Sequence, residues 1–166
     1  MWPRQRDGVT CGPSVAVMAG ALIDDAYGAP LRSGHPQRWF DAEQARVHRM
    51  VNTVWPRALG TTPAGMARAM TAHSAARGVR YRWRPAGPQT VPVVCDAVTA
   101  GWPVAMLLGS ALPRHWVLLT EIRGPAMRCY EPSSGALVSV PIDDIRAGRV
   151  HGLGFGRPFA FVLPKV

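Results

Sequence analysis

The sequence predicts a single α+β domain, with helices gathered in its first half and an antiparallel β-sheet in its second. Three observations carry that prediction. Helical periodicity holds to about residue 77, and after residue 79 it gives way to alternation and to short β-rich apolar runs. The 16 prolines and 17 glycines are spread along the chain rather than pooled in a linker, so they punctuate short elements of one body. At 166 residues, 48% of them hydrophobic, the chain is one ordinary domain, residues 1–166, with material for a real core.

The elements follow in order. A first helix is expected over 12–24, because Pro13 suits the first helical turn and the run from Ser14 to Ile23 is apolar. A Gly/Pro-rich connection through Gly28, Pro30, Gly34 and Pro36 follows. A second helix over 41–54 is capped by Asp41 and stopped at the Trp55-Pro56 step. A third over 62–77 takes Thr62 as its N-cap, Pro63 at its first position and Gly78 as its stop. Residues 79–84 alternate as a strand, and 91–100 read as a short helix ending at Gly101. Residues 103–108 and 115–122 are apolar runs of strand length; 127–131 and 136–140 continue the sheet, and 159–163 close it.

Composition excludes several classes. No segment approaches 18 uninterrupted apolar residues, so no membrane span is expected. Met1-Trp2-Pro3-Arg4-Gln5-Arg6 carries charge with no apolar run behind it before Cys11. No signal peptide is therefore expected, and the chain reads as cytoplasmic where it is made. Cys11, Cys95 and Cys129 cannot all pair and lack the spacing of a zinc site, and the histidines lie far apart. No metal and no cofactor is expected. The glycines of Gly152-Leu153-Gly154-Phe155-Gly156 precede a strand rather than a helix, so they form no phosphate loop.

The net charge of +9 comes from 19 basic residues, all arginine except Lys165, scattered along the chain in the manner of GC-rich coding. The one dense cluster is Arg77, Arg80, Arg82 and Arg84, with Tyr81 and Trp83 between them. Such a pattern can track a nucleic-acid backbone. It also describes the solvated face of an edge strand, since arginines at even positions point one way, and that is the stronger reading. Nucleic acid is not the expected partner.

The chemistry starts at Cys11. A thiol placed where a loop turns into a helix sees unsatisfied N–H groups and the positive end of the helix dipole, and both favour the thiolate. Gly12 lets another group approach closely. Gln5, six residues upstream, can supply an amide donor to an oxyanion formed beside the sulfur and the Cys11 N–H. A nucleophilic cysteine needs a proton acceptor. Of the five histidines, His35 and His151 lie in Gly/Pro-rich loops, while His48 and His73 read as surface positions on helices. His115 opens the apolar strand just after a loop, where a rigid scaffold holds a polar group for chemistry. Glu131 ends the next strand. If Ile122 faces Ala126 across the Gly124-Pro125 turn, Val117 faces Glu131, and residues 115, 117 and 131 share one face. A slip of one residue would separate His115 from Glu131.

Taken together, these residues resemble the papain-like cysteine peptidases, most closely the C39 peptidases and C39-like bacterial domains. That pattern has a Gln followed six residues later by Cys-Gly at a helix start, then a His opening a hydrophobic strand, then Asp-Pro and a Gly. The matching positions are Gln5, Cys11-Gly12, His115 with the run Trp116 to Leu119, and Glu131-Pro132 with Gly135. The resemblance implies a papain-like fold with Cys11 as nucleophile, His115 as general base and acid, Glu131 as orienting group and Gln5 as oxyanion donor. Glu131 departs from the family's Asp. The family's leader-processing role is tied to a fused transporter and does not carry over, since none is present in this sequence.

The leading expectation is peptide-bond hydrolysis of a peptide or protein substrate. The same site also fits a papain-like glutamine deamidase or transglutaminase-type toxin domain, delivered by a specialised secretion system and matched to a partner or immunity protein. A non-catalytic basic binding module is the third reading. Oligomeric state is not legible.

Overall fold

In a computed structural model that describes residues 2–51 and 60–165, the helices are α1 (Cys11–Ile23), α2 (Asp25–Gly28), α3 (Pro36–Val51), α4 (Pro63–Ser74), α5 (Val91–Thr99) and α6 (Ile142–Arg146). The strands are β1 (Arg80–Pro85), β2 (Val104–Gly109), β3 (Pro113–Arg123), β4 (Ala126–Glu131), β5 (Ala136–Pro141) and β6 (Arg157–Lys165). Every residue of α1 except Leu22 is buried, because a helix apolar on all sides is stable only when surrounded. It packs against α3, α4 and β3.

The six strands form one antiparallel sheet in the order β1-β6-β2-β3-β4-β5. Strand alternation divides its side chains between two cores. Leu107, Trp116, Leu118, Tyr130 and Val162 face α1, together with Phe40 of α3 and Met66 and Met70 of α4. Met106, Val117, Leu119, Cys129 and Phe161 face Val94 and Val98 of α5 and Ile145 of α6. The central strands read as continuous apolar runs because both faces are covered; all of β2 is buried.

The expected α+β architecture is therefore present, with several local corrections. The second helix starts at Pro36 rather than Asp41. Proline is at home in a first helical turn, so Pro36 begins the helix that its place in a Gly/Pro stretch had argued against. Asp41 is an interior residue of α3 and not its cap. The expected continuation to residue 54 and the Trp55-Pro56 stop lie outside the described residues. The connection before α3 is itself helical, with Asp24 capping α2 by accepting from the Ala26 and Tyr27 N–H groups at 3.0 and 3.2 Å. The third helix has the expected Thr62 cap, whose hydroxyl accepts from Gly65 N–H at 3.1 Å; its last turn tightens to 3-10 geometry over Ala75–Arg77 before Gly78.

The β1 strand is an edge; Arg80 and Arg82 are exposed and Tyr81 is buried, but Trp83 is exposed too and Arg84 is half-buried, so the expected alternation holds only over the first half of the strand. His73 departs from the surface position assigned to it. It faces inward on α4, packed against Gly20 of α1, where an added Cβ would lie 2.6 Å from the imidazole. Cys129 is buried in the core, whereas Cys95 on α5 is only half-buried.

The β3–β4 hairpin is tighter than expected: Arg123, not Ile122, pairs with Ala126. A bulge at Thr120 then inserts one residue into β3, so that Leu119 pairs with Cys129 and Leu118 with Tyr130. The two departures cancel. Continued one step, the register sets Val117 opposite Glu131, as expected.

Candidate active site

Cys11 is the first residue of α1 and is 6% exposed. No side chain caps this helix, because the Thr10 hydroxyl is occupied by Asp7, donating to its carbonyl at 3.1 Å and accepting from its N–H at 3.2 Å. The first-turn amides beside the sulfur are thereby left without a side-chain acceptor. Gly12 is required by packing: an added Cβ would sit 2.2 Å from the Thr61 hydroxyl.

His115 enters from β3. A bulge at Arg114 precedes it, since Leu108 of β2 pairs with His115 while Gly109 pairs with Pro113. A second bulge, at Phe159 of β6, flanks the same end of β2. Bulges bend strands and re-aim side chains. His115 Nε2 lies 2.9 Å from Glu131 Oε1, with both side chains largely withdrawn from water. Cys11 is the other side chain that acts on the ring. Burial by itself pushes the imidazole down, but the hydrogen bonds to Cys11 and Glu131 and the charges of both outweigh it, raising the pKa to about 9.

Glu131 is held on all sides. Burial opposes its ionisation, but His115, the Ser133 and Ser134 N–H groups and the Ser134 hydroxyl donate to it at 2.8–2.9 Å and keep it far below the usual carboxylate range. Gln5 sits beside this turn. Its N–H donates to the Pro132 carbonyl at 2.7 Å, and one proton of its side-chain Nε2 goes to the Asp7 carbonyl at 2.8 Å. Its Oε1 is buried without a partner among the described residues. The structure thus brings Cys11, His115 and Glu131 together and anchors Gln5 to the residue after Glu131.

Two cavities meet at Cys11. The larger, about 530 Å³, is walled by Gly8, Val9, Leu112 and Phe155; the smaller, about 150 Å³, by Thr61, Pro63, Leu107 and Trp116. Pro113 and Arg114 border both. Trp116 points to the face opposite His115, as strand alternation requires, and still reaches the cleft by donating its indole N–H to the Thr61 carbonyl at 2.9 Å. Phe155 was not anticipated: its ring stacks on His115 with centroids 5.1 Å apart and planes 22° apart. Its only sequence signal was an aromatic residue between two glycines. Among the described residues, no group of three His, Cys, Asp or Glu side chains is placed to hold a metal ion, and no helix is long and apolar enough to cross a membrane.

A cysteine-headed central helix, docked against an antiparallel sheet that presents a histidine and a carboxylate, defines the papain-like α+β fold. Within that class the chain has the fold of C39 peptidase domains. The peptidase domain of Streptococcus ComA, a bifunctional ABC transporter involved in quorum sensing, superposes with a TM-score of 0.57 at 16% identity, covering 98% of this chain and 97% of that one. A double glycine motif protease from an AMS/PCAT transporter, solved in complex with its leader peptide, superposes at 0.55 with 15% identity, over 99% of this chain and 90% of that one. The peptidase domain of Streptococcus mutans ComA bound to a small-molecule inhibitor gives 0.53 at 12% identity, over 100% and 99%. No protein-family model and no curated protein sequence matches the chain.

Proposed function

We propose that the chain is a papain-like cysteine peptidase that hydrolyses peptide bonds through Cys11, His115 and Glu131, with Gln5 as oxyanion donor. The observation that supports this most directly is the buried His115, bonded to Glu131 at 2.9 Å and close enough to Cys11 for the two to act on each other. An imidazolium held beside a sulfur at a helix N-terminus is the environment in which a thiol ionises. The thiolate attacks the scissile carbonyl, and the Cys11 N–H and the Gln5 Nε2 amide receive the oxyanion. His115 gives its proton to the leaving amine and then takes one from the water that releases the acyl group. Glu131 holds the ring with Nε2 toward itself, leaving Nδ1 for the sulfur.

The paired cavities favour a chain-like substrate, since they offer room on both sides of the attacking atom. A fold neighbour solved with a leader peptide agrees with a peptide ligand. Deamidation of glutamine uses the same groups and is separated by product mass, because it leaves the substrate chain intact. The test is iodoacetamide labelling at pH 6, read by intact mass. One fast-labelling thiol is expected, absent in Cys11→Ala and slowed in His115→Ala; slow labelling of all three cysteines refutes the reading and returns the binding-module alternative.

A further inference from the structure

We infer that Gln44, through a polar ladder on α3, is the positioning residue that fixes the oxyanion donor relative to the nucleophile. The inference rests on the proposed role of Gln5. Gln37, Asp41 and Gln44 are spaced i, i+4 and i+7, and therefore lie on one face of α3. Asp41 Oδ1 accepts from Gln37 Nε2 at 2.8 Å and from Gln44 Nε2 at 3.3 Å, which orients both amides. Gln37 then treats Arg4 as a neighbouring strand would: its Oε1 accepts from Arg4 N–H at 3.0 Å, and its Nε2 donates to the Arg4 carbonyl at 2.9 Å. Gln44 Oε1 accepts from Arg6 N–H at 3.0 Å, while its Nε2 reaches the Arg4 carbonyl at 3.4 Å. The backbone is thus gripped on both sides of Gln5. Gln5 N–H points the other way, to Pro132.

Gln44 does one thing more. The Ser14 hydroxyl, one turn into the helix that Cys11 begins, shares its single proton between Gln44 Oε1 at 2.8 Å and the Thr10 carbonyl at 2.7 Å. At 1% exposure, this single amide joins the strand carrying the oxyanion donor to the helix carrying the nucleophile. A buried amide held this way has one geometry, because each unmade bond costs its desolvation. Displacing a transition-state contact by about 1 Å can cost about a hundredfold in rate. Loss of Gln44 therefore lowers kcat through Gln5 and leaves the Cys11–His115 pair alone.

The test compares wild type, Gln44→Met and Gln37→Leu by three readouts: iodoacetamide alkylation of Cys11 at pH 6, hydrolysis of an internally quenched peptide library, and exchange of the Arg6 amide. Alkylation forms no oxyanion and does not call on Gln5. For Gln44→Met, alkylation stays within about twofold of wild type, while kcat falls about tenfold to a hundredfold with KM nearly unchanged. Arg6 N–H exchanges about tenfold faster or more. Gln37→Leu, at an exposed position that places no strain on the core, shows the same pattern at about threefold to tenfold. Equal losses of alkylation and hydrolysis would make Gln44 merely structural, and unchanged Arg6 protection would remove the clamp; either overturns the inference. A wild type that labels at Cys11 but cleaves no peptide would fail the peptidase reading, and the exchange of Arg6 would still decide the clamp.

Discussion

His115 at the mouth of β3 is buried, and His73 on the inner face of α4 is half-buried. His115 meets an ionised carboxylate head-on at 2.9 Å and a thiol on its other side, and its pKa rises to about 9 despite burial. His73 lies against Gly20 and over the Tyr27 ring, with centroids 4.1 Å apart, and burial pushes it below 6.5. Carboxylates are near it too: Asp24 and Glu43 pull upward against burial and against Arg46. Glu43, however, is committed to the Tyr27 hydroxyl at 2.8 Å and to Arg46 at 2.8 Å. What separates the two sites is direct engagement of the ring: Cys11 and Glu131 acting together on His115 overcome desolvation, whereas carboxylates engaged elsewhere do not do so for His73.

The largest test of this contrast removes the group that His115 serves. Cys11→Ala abolishes peptide hydrolysis, a loss of about 10⁴-fold or more, while circular dichroism and melting stay close to wild type. Glu131→Gln comes next. It keeps the shape and removes the charge, so hydrolysis falls about tenfold to a hundredfold. The pH profile carries the sign. The imidazolium is present below the raised value of about 9 and is lost as pH climbs through it, so the alkaline limb moves to lower pH in Glu131→Gln. An unmoved limb would show that Glu131 does not set the His115 charge.

The His73 side is probed through stability. Gly20→Ala drives a methyl into the imidazole and costs about 1–3 kcal/mol in urea unfolding; much of this returns in the Gly20→Ala, His73→Ala double variant, because the two groups touch. The smallest effect is in pH dependence. A folded-state value below 6.5 means that the unfolded chain binds the proton first as pH falls, so stability is present above about pH 6.5 and is lost below it. His73→Phe therefore loses less melting temperature between pH 7 and pH 5 than wild type does. His115 and Glu131 shape the same curve elsewhere. His115 contributes stability below its unfolded 6.5 that is lost as pH rises through about 9, and Glu131 contributes above its unfolded 4.5.

Cys11, His115 and Glu131 were legible in the sequence because each is announced locally: a cysteine before Gly-Pro at a helix start, a histidine before an apolar strand, a carboxylate before Pro-Ser-Ser-Gly. Their convergence was less secure. The parity argument reached the right pairing through a turn that the protein does not use, and the bulge at Thr120 that restores it leaves no mark in residue type. The Gln37-Asp41-Gln44 ladder was hidden by a boundary error, since a helix begun at Asp41 leaves Gln37 outside. His73 was misplaced because alanine and arginine neighbours suggest solvent, while the glycine that receives the ring lies on another helix. Phe155 depends on how residues 154–156 fold back over β3, which no periodicity reports.

The position of β6 has a consequence for the life of the nascent chain. Residues 157–165 enter the sheet between β1 and β2, so the last of these six strands in chain order occupies an interior place. Until it leaves the ribosome, β2 lacks the neighbour that pairs Leu108 with Pro158, and the histidine-bearing end of β3 has no finished floor. Cys11 is translated more than a hundred residues earlier. The growing polypeptide therefore carries Cys11 without a finished sheet until β6 has been made, and the setting around Cys11, His115 and Glu131 is completed only with that strand.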